Sequence, residues 1–211
     1  MIYPLFYNGP LNYFARLVRE DKIILEQFDS YHKQSYRNRC RILGPNGLLT
    51  LSIPVKRQRG QKNLFKEIRI DYETPWNKIH WKSLVAAYAA SPFFDYISDD
   101  LAVFYERRFD FLVDLNIRML TMTTDFLGLD IPLNLTSAFE PSGGTDDPRE
   151  FIHPKANTPE ADPHFSPVIY HQVFSDKHGF QANLSILDLL FNEGLNSLTI
   201  LKKSLRTADP S

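Results

Sequence analysis

The sequence has few of the features that mark an exported or membrane-inserted protein. Its only cysteine is Cys40, which excludes an intramolecular disulfide framework and fits a reducing compartment. The N-terminal stretch lacks the charged start and apolar core of an export signal. No run approaches the roughly 20 apolar residues of a membrane span. We therefore expect a soluble, cytoplasmic protein without a membrane partner.

The chain also lacks an excess of charge of either sign. Its 24 basic and 25 acidic residues give a net charge of -1, which implies no bulk attraction to nucleic acid or anionic lipid. The neutral total conceals one basic segment, residues 31–69, with ten Lys or Arg and a single acidic residue, Glu67. This segment lacks the aromatic pattern that single-strand binders use, which disfavours nucleic acid as a partner.

Recognisable catalytic motifs are absent too. The sequence contains no nucleophile elbow, phosphate loop or dinucleotide-binding glycine motif, and no internal repeat. The cofactor is therefore unknown. What the chain does have is 211 residues that are 43% hydrophobic and 13% aromatic, enough for one sizeable core.

The first 25 residues have the pattern of two strands joined by a helix. Ile2–Tyr7 is a short apolar run that ends in Asn8-Gly9-Pro10, and Leu11–Val18 has helical spacing. Ile23–Leu25 is apolar enough to lie between two layers, as parallel strands do. This βαβ-like start predicts the α/β class, with a central mixed or parallel sheet, packed helices and a C-terminal helical segment.

A hairpin is predicted in the basic segment. Gly44-Pro45-Asn46-Gly47 is a turn signal between two extended runs, Arg37–Ile42 and Leu48–Val55, with Asn-Gly favoured where φ is positive. The polar stretch Lys56–Lys62 predicts a mobile loop. The alternating pattern of Phe65–Ile70 predicts a further strand.

Two helices and a last strand are predicted next. Thr74-Pro75 has an N-cap followed by proline at the first helical position, which predicts a helix to about Ala90. Ser98-Asp99-Asp100 supplies another N-cap, and three- and four-residue apolar spacing predicts one long helix that ends at Gly128. Leu133–Thr136 is the candidate last strand.

Composition changes at Phe139. Residues 141–167 contain six prolines, a loop composition that is either functional or disordered and that could dock a protein partner. We divide the chain into an α/β core domain (1–138), a proline-rich loop segment (139–178) and C-terminal docking helices (179–211) that belong with the core.

The pattern of an ordered helix returns within Gly179–Gly194. Ser185 with Asp188 resembles a capping box, and Gly194 is a helix stop. The apolar residues between them would dock this helix onto the body.

The basic segment holds the candidate binding residues. Arg37, Arg39 and Arg41 would line one face of an extended strand, and a guanidinium fork matches phosphate or carboxylate. The alternative is a solvated edge strand whose arginines block aggregation. Asn38 favours a binding site, because alternation turns its amide inward, where it needs partners. The substrate-binding candidates are Lys33, Arg37, Asn38, Arg39, Arg41 and Lys56.

His80 and Asp71 are the catalytic candidates. A histidine has the one unperturbed side-chain pKa near neutrality and so suits a general acid or base. The aromatic and apolar neighbours of His80 fit a hydrogen-bonded core histidine as well. Asp71 could serve His80, cap a strand end or pair with an arginine.

Metal binding and thiol chemistry have weaker signals. Four histidines lie in or beside the proline-rich stretch, at spacings of eleven, seven and seven residues that match no compact zinc pattern: His153, His164, His171 and His178. Nearby aspartates, Asp146 among them, add ligand-type residues, but we assign no metal ligand. Cys40 has basic neighbours, yet alternation turns it away from them, so we expect a buried structural thiol.

Several short islands, in order along the chain, resemble the WbqC-like family of bacterial proteins, whose members occur with surface-polysaccharide and O-antigen genes. The islands are Tyr13-Phe14, Lys33-Gln34 with Arg37-Asn38-Arg39 and Ile42, Leu51-Ser52-Ile53-Pro54-Val55, Trp76 with His80-Trp81, Ser91-Pro92-Phe93-Phe94, and Asn183–Gly194. The chain departs from the family pattern at Asn12, where a glycine usually precedes the Tyr-Phe pair. The resemblance implies a transferase-like role in glycan or amino-sugar modification.

Two hypotheses follow. The first is a transferase-type enzyme of surface-polysaccharide biosynthesis that acts on an anionic, nucleotide-linked or phosphorylated sugar or amino-acid-modified substrate, such as a nucleotide-sugar. Arg37, Arg39 and Lys56 would hold this substrate, Asn38 would orient it and His80 would be the acid or base. The alternative is a non-catalytic ligand- or protein-binding module.

Overall fold

A computed structural model describes residues 1–57, 63–143, 147–154 and 162–206, so most of the loop predicted at Lys56–Lys62 lies outside it. The strands are β1 (Ile2–Pro4), β2 (Ile23–Glu26), β3 (Arg39–Gly44), β4 (Gly47–Ser52), β5 (Val55–Lys56), β6 (Arg69–Ile70) and β7 (Leu133–Leu135). The helices are α1 (Leu11–Leu17), α2 (Trp76–Tyr88), α3 (Phe94–Glu106), α4 (Leu112–Phe126), α5 (Pro148–Phe151), α6 (Ser175–His178), α7 (Ile186–Glu193) and α8 (Ser197–Lys203). Within the described ranges, none of these helices is long and apolar enough to cross a bilayer.

The central sheet confirms the predicted α/β class and the βαβ start. Its strand order is β1-β2-β7, and both pairings are parallel, with Ile2 opposite Ile24 and Ile23 opposite Leu133. Ile23 and Leu25 of the middle strand are buried in the core. Because all three strands run the same way, their carboxyl ends meet at one edge of the sheet.

The predicted hairpin is confirmed as β3 and β4, which pair antiparallel from Arg39 opposite Ser52 to Gly44 opposite Gly47. Gly47 has φ +101, the positive φ for which the Asn-Gly signal selects. The strand predicted at Phe65–Ile70 is shorter than expected. A 3-10 turn over Phe65–Glu67 comes first, and only Arg69–Ile70 pair, with β5.

The predicted start of α2 was wrong in one detail. The capping position is Pro75, and no side chain caps the helix. Thr74 contributes its backbone carbonyl, which accepts a hydrogen bond from the Trp76 amide at 2.7 Å. The helix otherwise spans nearly the predicted range and ends at Tyr88.

The prediction of one long helix to Gly128 was wrong, because the chain forms α3 and α4 with a break at residues 107–111. The break pairs with the segment around β6: the Ile70 amide donates to the Asp110 carbonyl, and the Leu112 amide donates to the Ile68 carbonyl. Ser98 lies inside α3 and is buried, so it is not an N-cap. Apolar spacing continues across the break because both helices bury a face in the same core.

The predicted C-terminal helix is confirmed as α7. The Ser185 hydroxyl accepts from the Leu187 amide at 3.3 Å, and Gly194 ends the helix with φ +52. The apolar residues of α7 are buried in the core: Ile186, Leu187, Leu189, Leu190 and Phe191.

Asp188 has a different role from the capping box that was predicted. Its carboxylate accepts hydrogen bonds from the hydroxyls of Tyr88 at 2.8 Å and Tyr170 at 2.6 Å, and from the Gln172 amide at 3.0 Å. Burial raises the pKa of Asp188 to about 6, although these hydrogen bonds act to lower it. The carboxylate thereby ties α2 and the segment around Tyr170 to α7.

The described ends of the proline-rich segment are also attached to the body. Arg16 of α1 donates to Asp162 at 2.6 Å in a buried ion pair. The side-chain amide of Asn12 donates to the same carboxylate at 3.0 Å, and the backbone amide of Asn12 donates to Asn183 at 2.9 Å. The residue that replaces the usual glycine thus has a structural role here. The division into 1–138, 139–178 and 179–211 stays a prediction.

Replacing Asp188 by asparagine should remove a pH-dependent contribution to stability. Because the pKa of Asp188 is raised in the folded state, its contribution is greatest below pH 4 and is lost as the pH rises through 6. Relative to Asp188→Asn, the wild-type free energy of unfolding should fall by about 2 kcal/mol between pH 4 and pH 7. Urea unfolding at both pH values measures this difference. Asp99→Asn, on an exposed site of α3, should change stability by less than about 0.5 kcal/mol, and a pH-independent effect of Asp188→Asn would refute the assignment.

Gly194→Ala should destabilise the protein strongly. A Cβ at this position would lie 2.5 Å from two ring atoms of Phe93, on a backbone with φ +52. We expect a loss of about 2–5 kcal/mol in urea unfolding. Gly128→Ala is the control, because Gly128 has φ +67 but a Cβ added there would meet nothing within 4 Å, so only the backbone cost of about 1–2 kcal/mol remains. Equal losses for the two variants would contradict the steric explanation.

Candidate functional site

A cavity of about 480 Å³ lies at the carboxyl-terminal edge of the parallel sheet. Pro4 at the end of β1, Asp29 just after β2 and Phe139 after β7 all line it. Open α/β sheets bind their ligands at this edge, where strand ends and loops form a crevice. We call this the sheet-edge cavity and take it as the candidate site.

Arg37 lines the sheet-edge cavity and is the one predicted binding residue that does so. Its side chain is 5% exposed, donates to Asp29 at 2.5 Å and stacks over the Phe65 ring at 4.7 Å. Burial lowers the pKa of Arg37, and Asp29 opposes that shift. The Nη1 atom is buried and has no hydrogen-bond partner among the described residues. An unpaired buried N–H is costly, and because Nη1 is closed to solvent, a ligand reaches it only where a neighbouring group moves aside.

Glu26 lies at the end of the middle strand, behind the residues that line the cavity. Its buried carboxylate accepts from the Phe28 amide at 2.6 Å, the Thr136 hydroxyl at 3.1 Å and the Glu140 amide at 2.9 Å. An Arg149 nitrogen lies 3.8 Å away. The loops that follow β2 and β7 are thereby held to one carboxylate.

Arg149 of α5 also lines the sheet-edge cavity, but the protein already binds most of its guanidinium. Its nitrogens donate to the carbonyls of Glu140 at 2.6 Å and Pro141 at 2.9 Å, and to the Asp147 carboxylate at 2.6–3.1 Å. Burial alone would raise the pKa of Asp147, but the hydrogen bonds from Arg149 and from the Gly143 amide lower it to about 2. Arg149 therefore shapes the wall of the cavity.

Two histidines, two hydroxyl groups and a carboxylate complete the polar lining: His32, His153, Ser35, Ser142 and Glu150. An imidazole can act as an acid or base near neutral pH, and a hydroxyl can bind a sugar hydroxyl. Sequence reasoning missed His32, Ser35 and Ser142 as site residues and considered His153 only for metal binding. The one available signal was Glu26, a carboxylate directly after the apolar run of a buried strand.

The other basic candidates lie outside the sheet-edge cavity. Strand β3 begins at Arg39, so Arg37 precedes it, and the three arginines do not form one row. Arg39 and Arg41 are half-buried, and the Nε atom of Arg39 has no partner among the described residues. Lys33 and Lys56 are exposed. Their roles in substrate binding stay predictions.

Asn38 is buried, but so is Arg37, which alternation placed on the opposite face, because both residues precede β3. Its side-chain amide donates to the Ile53 carbonyl at 2.7 Å, and the Ile53 amide donates back to the Asn38 carbonyl at 2.8 Å. These bonds hold the residue before β3 against the residue after β4. Substrate orientation by Asn38 stays a prediction.

His80 lies in the core and is not among the residues that line the sheet-edge cavity. Its Nδ1 atom is 2.9 Å from the Tyr7 hydroxyl, which is itself 2.9 Å from the hydroxyl of Tyr105. Burial lowers the pKa of His80 to about 4, against the effect of its hydrogen bond to the Ser52 backbone. The imidazole is therefore neutral at pH 7.

Asp71 is not part of the hydrogen-bond network around His80. Its carboxylate accepts from the Glu73 amide at 3.0 Å and lies 3.9 Å from the Lys56 ammonium. The structure thus brings together neither the two catalytic candidates nor either of them with Arg37. Their catalytic roles stay predictions.

The other candidates for chemistry were metal ligands and the Cys40 thiol. Across the described ranges, no three His, Cys, Asp or Glu side chains are grouped as a metal site, and Asp146 lies outside those ranges. Cys40 is buried as expected, and burial raises its pKa to about 12. A thiol with that pKa is a poor nucleophile at neutral pH.

Arg149→Met should destabilise the protein by about 3–5 kcal/mol, because it leaves the carboxylates of Asp147 and Glu26 without their cation. Urea unfolding at pH 7 measures the loss. Arg19→Met, at an exposed site, is the matched control and should stay within about 0.5 kcal/mol of wild type. A loss below about 1 kcal/mol for Arg149→Met would show that this guanidinium does not hold the wall.

Comparison with protein-family models identifies one family. A model of the WbqC-like protein family matches residues 7–156, a range that includes nearly all of the cavity lining. The chain is similar to the uncharacterized protein Rv1507c of Mycobacterium tuberculosis, with 28% identity over 212 aligned residues that cover 90% of this chain and 91% of that protein. No solved structure matches the chain.

Proposed function

This chain belongs to the WbqC-like protein family, and on that premise we propose that it is a transferase-type enzyme of surface-polysaccharide biosynthesis. Its substrate would be a phosphorylated or nucleotide-linked sugar, or an amino-acid-modified one, bound in the sheet-edge cavity. The occurrence of family members with surface-polysaccharide genes supports this setting.

The observation that carries the proposal is the buried guanidinium of Arg37. It lies at the edge of a parallel sheet where ligands bind, and its side chain lines the cavity there. Stacking on Phe65 and pairing with Asp29 fix the orientation of the fork before any ligand arrives. A preorganised cation of this kind stabilises the charge that develops on a phosphate or carboxylate during group transfer.

The same cavity contains candidates for proton transfer. An acceptor hydroxyl or amine must lose a proton as it attacks, and the imidazoles of His32 and His153 line the space in which it would lie. The predicted role of His80 would require its imidazole to act from the core, through Tyr7. The position of the two lining histidines favours them as the acid and base.

A second candidate function is the non-catalytic binding module. An apolar groove of about 270 Å³ lies between α3, α4 and α7, and two large apolar side chains beside it, Tyr96 and Leu195, are 72% and 77% exposed. Exposed apolar patches of this kind mark protein contacts. Docking of a protein partner through residues 141–167 has less support. Arg149 and Glu150 of α5 belong to this segment, and both line the sheet-edge cavity.

A thermal-shift experiment tests the proposal. Inorganic phosphate, glucose 6-phosphate, UDP and UDP-glucose are added to the full chain at rising concentration. A ligand present at 100 times its Kd should raise the melting temperature by roughly 5–10 °C. Arg37→Met should abolish the shift, because it removes the only predicted basic residue that lines the cavity.

Two variants serve as controls in this experiment. Arg16→Met breaks another ion pair of a buried arginine, with Asp162, outside the cavity, so it should lower the melting temperature but keep the ligand-induced shift. His80→Gln should keep it too. If the shift survives in Arg37→Met but is lost in His80→Gln, the ligand binds near the core histidine and not in the sheet-edge cavity. If none of the four probes shifts the melting temperature of the wild-type protein, the binding-module function is favoured.

A further inference from the structure

Helices α3 and α4 form an antiparallel pair with an open groove between them. The break at residues 107–111 joins the end of α3 to the start of α4. At the opposite end, the ring centroid of Tyr96, near the start of α3, lies 6.3 Å from that of Phe126, the last residue of α4. A hollow of about 850 Å³ lies between these two points of contact. We call it the helix-pair groove.

Each helix presents one face to the helix-pair groove. The lining residues of α3 and of α4 recur at steps of four and three residues, which is the spacing of a single helical face. They include Tyr96, Asp100 and Val103 on α3, and Arg118, Met122 and Asp125 on α4. Such a face is the form in which a helix pair packs against further helices.

Apolar surface is exposed along this groove. Tyr96 is 72% exposed, and the side chains of Met122 and Phe126 are only half-buried. A smaller hollow shares Tyr96 and Phe126 with the groove and extends the apolar surface to Leu195. Contiguous exposed apolar residues mark a contact surface. Two helix pairs that pack face to face cover such a surface by forming a four-helix bundle.

The charges of the groove are self-complementary. Asp100 is nine residues before the middle of the break, residue 109, and Arg118 is nine residues after it, so the two lie at about the same level on opposite sides. Both are exposed, and neither has an ion pair among the described residues. A two-fold axis along the groove exchanges its sides, so Asp100 of each copy faces Arg118 of the other.

The overall charge also fits a second copy as the occupant. The groove is lined by two arginines, Arg107 and Arg118, and by two aspartates, Asp100 and Asp125. It therefore lacks the excess of positive charge that attracts an anionic lipid surface. The net charge of -1 for the whole chain gives two copies little long-range repulsion.

We infer that the helix-pair groove is the interface of a homodimer, in which α3 and α4 of two copies form a four-helix bundle. Asp100 of each copy pairs with Arg118 of the other across the two-fold axis. This inference is independent of the proposed function, because the sheet-edge cavity and the helix-pair groove share no lining residue.

Analytical ultracentrifugation of the full chain tests the inference. At about 100 µM the mass should be twice the 24.5 kDa of one chain, with a dissociation constant in the micromolar range. Tyr96→Lys should weaken the dimer at least about 10-fold, because it buries an unpaired charge. Leu48→Lys is the matched control and should leave the dimer unchanged. Leu48 is 48% exposed on β4 and lines neither the groove nor the smaller hollow.

Exchanging the charges tests the two-fold arrangement. Asp100→Arg or Arg118→Asp alone should weaken self-association by about 10-fold, because each places like charges opposite one another at two symmetry-related positions. Mixing these two single variants should restore a dimer, since every facing pair then has opposite charges. A melting curve of each variant checks that it is folded.

Three outcomes would overturn the inference. One is a wild-type chain that stays monomeric at about 100 µM, which would leave the groove to a different protein or a lipid surface. Another is a dimer that Tyr96→Lys and Leu48→Lys weaken equally, which would place the interface elsewhere. The third is a mixture of Asp100→Arg and Arg118→Asp that associates no better than either variant alone.

Discussion

The carboxylate of Glu26 is the contact on which the candidate site depends. It ends the middle strand of the parallel sheet, is fully buried and accepts hydrogen bonds from the backbone after β2 and from Thr136 and Glu140 after β7. Because a buried carboxylate must be hydrogen-bonded, its neighbours have little freedom to move. The loops at this edge are therefore fixed by one side chain, and Arg149 extends the same arrangement to α5.

The two arginines that line the cavity, Arg37 and Arg149, differ in how many of their hydrogen-bond donors have a partner in the protein. Arg149 binds two backbone carbonyls and Asp147, so its guanidinium is part of the scaffold. Arg37 is stacked on Phe65 and paired with Asp29, yet it retains a buried Nη1 without a partner in the described ranges. The protein thus satisfies the hydrogen-bonding capacity of Arg149 more completely than that of Arg37. The buried His80, by contrast, is satisfied by Tyr7 and the Ser52 backbone.

Local patterns in the sequence predicted the elements whose signals are local. The βαβ start, the Asn-Gly hairpin and the Ser185-to-Gly194 helix were all confirmed, because strand alternation, positive φ and N-capping act within a few residues. The single long helix to Gly128 was wrong for the complementary reason. Its break is caused by hydrogen bonds from residues 110–112 to the segment around Ile70, some forty positions away along the chain. Apolar periodicity carries no information about such a partner.

The candidate site likewise combines features that the local sequence predicted with features that only the fold created. The sequence by itself determined the α/β class, the family and Arg37 as a binding candidate, since composition, short motifs and the order of islands are properties of the chain. Only the tertiary structure decided that Arg37 lines one cavity with Asp29, His32 and His153, and that His80 and Asp71 lie elsewhere. The physical reason is that parallel strands bring their carboxyl ends to one edge, whatever the distance between them in sequence. A functional site built there is assembled from residues that no local pattern connects.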